Sequence, residues 1–482
     1  MGEEKDSTKC SQSFCSVRHG LAFTLYICNF LIYTQKMSMS IAIPAMVNNT
    51  VLSSPANAST ERPPTDSQDN QNETSKEFKA VAPMYDWSPE IQGIILSSLN
   101  YGSFLAPIPI GYVAGIFGAK YLVGVGLFIS SVLTLFIPLV TDAGATFLIV
   151  LQIVQGIFQV IVNTSQYSIW VKWAPPQERS QLISIAMSGS VLGSFIILLV
   201  GGFLCQTVGW PYIFYIFGGI GCACSFLWFP LVYDDPANHP FISTGEREYI
   251  VCSLAQQDYS SDLSLPIKAM IKSLPLWSIL VSYFSEFWLF NIFVAYIPTY
   301  INSVLQVNLR DSGILSALPF LVGSICMILG GLLADFLLSR KILRLVTIRK
   351  LFTAMGVIFP SVLCVSLPWV SSSHITTMAF LVLFTAFSSL SEAGSFVNIL
   401  DIAPRYVTFL RGLLQVSYHI SGAISPTVTG IFLISCLQDS EFGWRNIFLL
   451  SAAINTSGLV FYLIFGQAEV QEWAKEQTIT HL

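Results

Sequence analysis

Charge is what this 482-residue chain has least of: 11% of its residues are Asp, Glu, Lys or Arg, against about a quarter in soluble domains. That scarcity excludes an ordinary soluble enzyme. Nucleic acid is not an expected partner either. The five histidines and ten cysteines form no CxxC pair and no cluster with metal-ligand spacing. Neither a disulfide framework nor a metal is therefore expected, and Cys28, Cys222, Cys224, Cys326 and Cys364 read as small core residues in apolar runs. No GxxxxGK[ST] is present, so direct use of ATP is not expected. No nucleophile–base arrangement suggests catalysis.

In place of charge the chain has apolar length. It is 53% hydrophobic with a mean hydropathy of +0.64, the composition of an integral membrane protein. Apolar spans are predicted at about 20–47, 90–114, 119–140, 145–171, 182–204 and 211–233. Six more follow at about 274–304, 311–337, 346–369, 374–400, 407–435 and 445–466. The fold class is thus an all-α membrane protein of twelve transmembrane helices in two six-helix halves. The expected organisation is a polar N-terminus 1–19, a first half 20–233, a linker 234–273, a second half 274–466 and a tail 467–482. The outer loop 48–87 carries the sequons of Asn48, Asn57 and Asn72, which predicts glycosylation on an extracytoplasmic face. Lys172, Arg179, Arg247, Arg340, Lys341 and Arg344 all fall on the opposite side, placing both termini in the cytoplasm.

The halves repeat. Gly111-Tyr-Val-Ala-Gly-Ile-Phe-Gly-Ala-Lys120 matches Gly331-Leu-Leu-Ala-Asp335-Phe-Leu-Leu-Ser-Arg340, and Ala174-Pro175 matches Ala403-Pro404-Arg405. Gly209-Trp210 likewise matches Gly443-Trp444. Gly111, Lys120, Asp335, Arg340 and Arg405 are read as a cytoplasmic motif governing how the halves move.

Inside the fourth span Gln152, Gln155, Gln159, Asn163 and Gln166 are spaced by three or four residues, so they share roughly 80° of a helix surface. Asn and Gln in membranes also hold helices together, but five in register favour the wall of a watery path. An ionisable group near the bilayer centre costs about 2.5–3.5 kcal/mol, so Lys36, Glu286 and Glu392 each need a reason. Lys36 is read as a fixed positive charge for an anion. Glu286 and Glu392 are its ion-pair partners or bind a coupling ion. His419 is a further candidate for coupling, and Arg411 reads as an interface anchor. Tyr101, Trp288 and Asn291 are weaker candidates for substrate contact, and Tyr283, Phe284 and Phe287 are aromatics able to stack on a planar anion.

The stretches MVNNT, DWSPEIQGIILSS, KWAPPQERS, GWPYIFYIFG, YDDPANHPFIS, LADFLLSR and LDIAPRY resemble the major facilitator superfamily. More narrowly they resemble its anion–cation symporter branch of type I sodium–phosphate cotransporters, sialin and vesicular glutamate transporters. FGWRNIFLLSAAIN and WAKEQTITHL look most similar to the intestinal and renal members associated with urate and other organic anions. The resemblance implies a central path lined by the first, fourth, seventh and tenth spans. The chain departs from the family where relatives carry acidic or basic groups: Gln152 and Gln159 in the fourth span, Leu96 in the second and Glu286 in the seventh. Vesicular glutamate transport is therefore not expected.

The function implied is secondary, voltage-driven transport of urate and related organic anions by alternating access, with sodium-dependent phosphate cotransport as a second activity. The rivals are a proton-coupled symporter of the sialin type, an anion channel, and a non-transporting membrane receptor with this fold. No cofactor is expected beyond sodium or chloride as a coupling ion. Expected partners are small organic anions or phosphate, the lipid bilayer, and a PDZ scaffold through Thr480-His481-Leu482. The expected setting is a monomeric unit in the apical plasma membrane of an epithelium.

Overall fold

A computed structural model describes residues 16–47, 85–104, 107, 118–175, 179–255, 266–305, 309–370, 373–403, 406–435 and 440–475. Asn48, Asn57, Asn72, Gly111, Arg405 and Thr480-His481-Leu482 lie outside the described residues, as does the side chain of Asp335. The first half contains α1 (Val17–Met46), α2 (Pro89–Ser103), α3 (Ala119–Ala143), α4 (Ala145–Trp173), α5 (Arg179–Thr207) and α6 (Pro211–Leu231). The second contains α9 (Leu274–Leu305), α10 (Leu309–Ser339), α11 (Leu345–Val370), α12 (His374–Ser388), α13 (Ser395–Ile402), α14 (Val407–Ser435) and α15 (Ser440–Phe465).

Nine helices among the described residues are long and apolar enough to cross a membrane, α12 and α13 counting as one. The other three, α1, α2 and α14, are informative because they supply every hydrogen bond that joins the halves among the described residues. These are Lys36–Tyr418, Asn100–His419, Asn100–Gly422, Tyr101–Thr427 and Ser97–Thr427. α2, 15 residues as described, is short, and polar side chains lower the hydropathy of α1 and α14; the polar side chains of all three supply the hydrogen bonds between the halves.

Within the first half α1 packs along α5 and α2 along α4. Gly189 and Gly193, four residues apart on α5, face the carbonyls of Tyr26 and Phe30, where a Cβ would collide. Such small residues let two membrane helices approach closely. Across the halves the seams are α2 with α14 and α5 with α10. Both close at the end of the bundle that carries the 47–85 connection, whose two feet are tied by the Tyr85 N–H donating to the Met46 carbonyl at 2.7 Å.

The linker departs from the sequence reading, which gave it no structure. It contains α7 (Thr244–Ala255) and α8 (Ile267–Lys272). Ser243 receives the Glu246 N–H at 3.3 Å, the start of a Ser-x-x-Glu capping arrangement. The Glu246 carboxylate accepts from the N–H groups of Val17 and Arg18 and pairs with the Arg18 guanidinium at 3.1 Å. Asp234 accepts the Lys120 N–H at 2.8 Å, and Lys120 lays its ammonium 4.1 Å from the centre of the Tyr233 ring. The first part of the linker is thereby fastened to the first half. Met270 of α8 packs with Leu276, Ile402 and Tyr406 of the second. Arg340 directly follows the C-terminus of α10, where a cation complements the helix dipole.

The tenth span, expected as one helix, is interrupted. A 3-10 turn at Ser389–Ala393 and Gly394 separate α12 from α13. In the run Ser388-Ser389-Leu-Ser391-Glu-Ala-Gly394 the Ser hydroxyls compete for backbone partners, as Ser389 does by donating to Ala386 O at 2.8 Å.

The seam at the 47–85 end has no spare room. A Cβ on Gly93 would lie 2.5 Å from the Pro426 carbonyl and 3.1 Å from the Gly430 Cα. Gly93→Val is expected to hold the seam open. A single Cys at position 427 then reacts about tenfold faster with a water-soluble thiol reagent than in the unaltered background. An unchanged rate contradicts the seam.

Candidate functional site

Between the halves lies a cavity of ≈ 430 Å³, within the ~300–1,000 Å³ range of ligand clefts. Lys36 and Tyr33 reach it from α1, Asn163 from α4, and Ser190 and Ser194 from α5. Tyr283, Glu286 and Phe287 come from α9, Glu392 from the interruption, and Phe396 from α13. Arg411, Gln415, Tyr418 and His419 come from α14. Every cross-half hydrogen bond named above lies at the level of Lys36 or nearer the 47–85 end. None among the described residues closes the linker end.

Lys36 is the centre of the site. Its ammonium donates to the Tyr418 hydroxyl at 2.9 Å and lies 4.6 Å from the centre of that ring and 5.7 Å from the Tyr33 ring. A cation over aromatic faces gains about 0.5–2 kcal/mol. Among the described residues no carboxylate pairs with Lys36. Pairing with Glu286 or Glu392, one of the expectations, is not formed in this conformation. Glu286 instead accepts from Ser282 at 2.7 Å and Ser395 at 3.1 Å, and Glu392 shares the cavity wall with Arg411. Arg411, expected as an interface anchor, is on the cavity wall.

Beside Lys36 stands an aromatic wall that includes residues missed in the sequence. Phe287 stacks on Phe396 with ring centres 5.4 Å apart at 15°, and meets Tyr418 edge-on at 4.8 Å. Tyr283 contacts both phenylalanines, whereas Phe284 and Trp288 pack in the second half. Three polar atoms of the wall, Ser190 Oγ, His419 Nε2 and Asn455 Oδ1, are buried with no hydrogen-bond partner among the described residues, while His419 Nδ1 meets Asn100 Oδ1 at 3.1 Å.

The amide stripe requires correction as a path wall in this conformation: only Asn163 faces the cavity. Gln152 accepts from the Ser98 hydroxyl, and Gln155 donates to Thr134 at 2.8 Å. Gln159 donates to Ser130 at 3.4 Å, and Gln166 to Asn29 at 3.0 Å. Gln35 extends the network through Ser130 and Ser131. The amides therefore join α4 to α1, α2 and α3, each bond contributing ~0.6 kcal/mol on average. Tyr101 is likewise in the seam with Thr427. Asn291 turns back on the Phe287 carbonyl at 2.8 Å, and Trp288 is core. None of these three lines the cavity. Ser130 and Thr134, at i and i+4 in the third span, were the available signal that the stripe faces another helix.

The sequence matches the model of the Major Facilitator Superfamily over residues 25–426. It is 76% identical to a human protein described as a probable small intestine urate exporter, over 98% of this chain and 95% of that one. It is 55% identical to sodium-dependent phosphate transport protein 3 of Mus musculus over the full length of both. A bacterial homologue of the human lysosomal transporter Spinster, solved inward-facing and unoccupied, superposes with a TM-score of 0.69 at 15% identity. That match covers 93% of this chain and 97% of the other, a likeness of fold.

Single cysteines in a Cys-depleted background separate wall from packing. Asn163→Cys and Ser190→Cys are expected to react with water-soluble thiol reagents at least about tenfold faster than Gln155→Cys and Gln166→Cys. Equal rates contradict the placement of the stripe.

Proposed function

This chain belongs to the Major Facilitator Superfamily, and from that premise we propose that it carries small organic anions, urate among them, across a plasma membrane by alternating access. The observation that carries this reading is the ammonium of Lys36, held on the cavity wall by a neutral phenol with no carboxylate partner among the described residues. Burying that charge costs about 2.5–3.5 kcal/mol, and an anion in the cavity repays the cost by pairing with it. The Phe287–Phe396 wall suits a planar anion, and Ser190 and His419 offer it hydrogen bonds. The 76%-identical urate exporter supports urate, and the sodium-dependent phosphate transporter supports phosphate as a second substrate.

The halves 20–233 and 274–466 rock about this site, and the linker 234–273 joins them. The 47–85 end is the outer face, glycosylated at Asn48, Asn57 and Asn72, and both termini are cytoplasmic. The conformation described is then open inward. Gly111, Lys120, Asp335, Arg340 and Arg405 govern the opposite closure. One chain encloses its cavity, so the functional unit is a monomer. Apical placement through Thr480-His481-Leu482 belongs to the same proposal.

A singly charged anion moving along the membrane potential gains about 2.3 kcal/mol per 100 mV. At an inside-negative plasma membrane this drives efflux. In proteoliposomes in sodium-free medium, urate uptake is expected to rise when potassium and valinomycin make the interior positive, and to change little when a pH gradient is collapsed at constant voltage. Uptake that follows the pH gradient and ignores voltage overturns this mechanism. It favours instead a proton-coupled carrier, for which Glu286, Glu392 and His419 line the same cavity.

A further inference from the structure

We propose that His419 reads a hydrogen-bond donor on the substrate: Asn100 fixes the ring proton on Nδ1, and the bare Nε2 accepts an N–H or O–H from the planar anion held by Lys36. This rests on the anion-carrier reading and narrows its substrates to anions that carry such a donor.

The assignment starts at the seam, where Asn100 of α2 meets His419 of α14, the two side chains 6% and 4% exposed. The backbone orients the Asn100 amide. Its Nδ2 donates to the Gly422 carbonyl at 3.2 Å, a group that can only accept. Turned over, the amide would set its oxygen against that carbonyl oxygen. Gly422 also presses close, for a Cβ there would lie 2.7 Å from Asn100 Nδ2 and 2.8 Å from Cγ. Oδ1 is therefore the atom that meets His419 Nδ1 at 3.1 Å. An amide oxygen carries no proton, so the proton of this bond belongs to Nδ1.

A neutral imidazole with its proton on Nδ1 keeps a lone pair at Nε2. His419 shares the cavity wall with Lys36, and a second positive charge in that low-dielectric space is opposed by the first. Nε2 is buried and has no hydrogen-bond partner among the described residues. A buried acceptor without a donor is costly, so this atom favours a ligand that supplies one.

The surroundings complete the pattern. Tyr418 accepts from the Lys36 ammonium at 2.9 Å and keeps its own hydroxyl proton to donate. Ser190, on α5, presents a second hydroxyl. These groups and the ammonium suit the oxygens of an anion. Glu286 and Glu392 can accept, but their charges repel an anion. That leaves His419 Nε2 and Asn455 Oδ1 as the buried acceptors of the wall that carry no proton and have no partner among the described residues. His419 adjoins Tyr418, which holds Lys36, with ring centres 5.1 Å apart.

The test is competition against labelled urate on the purified full-length protein, at a pH where both competitors are anions. Unlabelled urate is compared with the trimethylurate methylated at every ring nitrogen except the one that ionises. Both are planar monoanions, and only urate keeps N–H groups. Urate is expected to bind at least about tenfold tighter. His419→Phe, which keeps a ring against Tyr418, is expected to bring the two within about threefold of each other, by loss of urate affinity alone. Asn100→Leu is expected to lower the preference too, because Nδ1 loses the acceptor that fixes its proton. If His419→Phe is not monodisperse, Asn100→Leu carries the test. Equal affinity for the two anions in the unaltered protein overturns the proposal. So does a preference that survives in His419→Phe, which would mark mere exclusion of the methyl groups, or a variant that weakens both anions alike. An undiminished preference in Asn100→Leu overturns the role of Asn100. Saturable binding of neither anion is instead the failure of the anion-carrier reading, and this inference falls with it.

Discussion

One buried ammonium sets the terms for the rest of the structure. Lys36 sits in an apolar bundle at the junction of two halves, and its only hydrogen bond among the described residues crosses that junction to Tyr418. A phenol and two aromatic faces stabilise the cation without neutralising it. A carboxylate in that place would satisfy Lys36 and leave nothing for an anion. Glu286 is accordingly engaged elsewhere, by the hydroxyls of Ser282 and Ser395.

The same junction is the moving part. Its contacts are side-chain hydrogen bonds and close glycine approaches between α2 and α14 and between α5 and α10. An apolar cluster crosses it as well, Ile41, Ile197 and Leu198 packing with Ala317 and Phe320. Within the first half, amide networks tie α4 to three neighbours, and clusters of fully buried side chains such as Trp170, Trp173 and Trp228 fill the rest. Rigid halves joined by a separable seam are what rocking about a fixed site requires. Tyr418 and His419 belong to both seam and cavity wall, so a ligand on Lys36 touches the groups that hold the halves together.

Much of this was legible in the chain. Apart from the end of the second span, which lies outside the described residues, apolar runs located the helix ends to within about five residues, because the bilayer fixes their length. Lys36, Glu286, Glu392 and His419 stood out, and all four line the cavity, since a charge in a membrane needs a polar surrounding. In this conformation four of the five stripe amides face other helices, because periodicity reports that a helix has a polar neighbour, not whether that neighbour is water or another helix. Tyr33, Tyr418 and Phe396 escaped notice because aromatic residues abound in membrane spans and only the fold brings these three beside Lys36. The interruption of the tenth span was written in its Ser and Gly residues but hidden by the hydropathy of its flanks. The capping signal Ser243-x-x-Glu246 was likewise masked by the polar composition of the linker.

The central claim is that Lys36 supplies the charge that holds the anion. Equilibrium binding of labelled urate to the purified protein, compared with Lys36→Gln and Lys36→Arg, addresses it without any transport step. The account predicts saturable binding in the unaltered protein, at least about tenfold weaker binding in Lys36→Gln, and partial recovery in Lys36→Arg. Equal affinity in folded Lys36→Gln contradicts it.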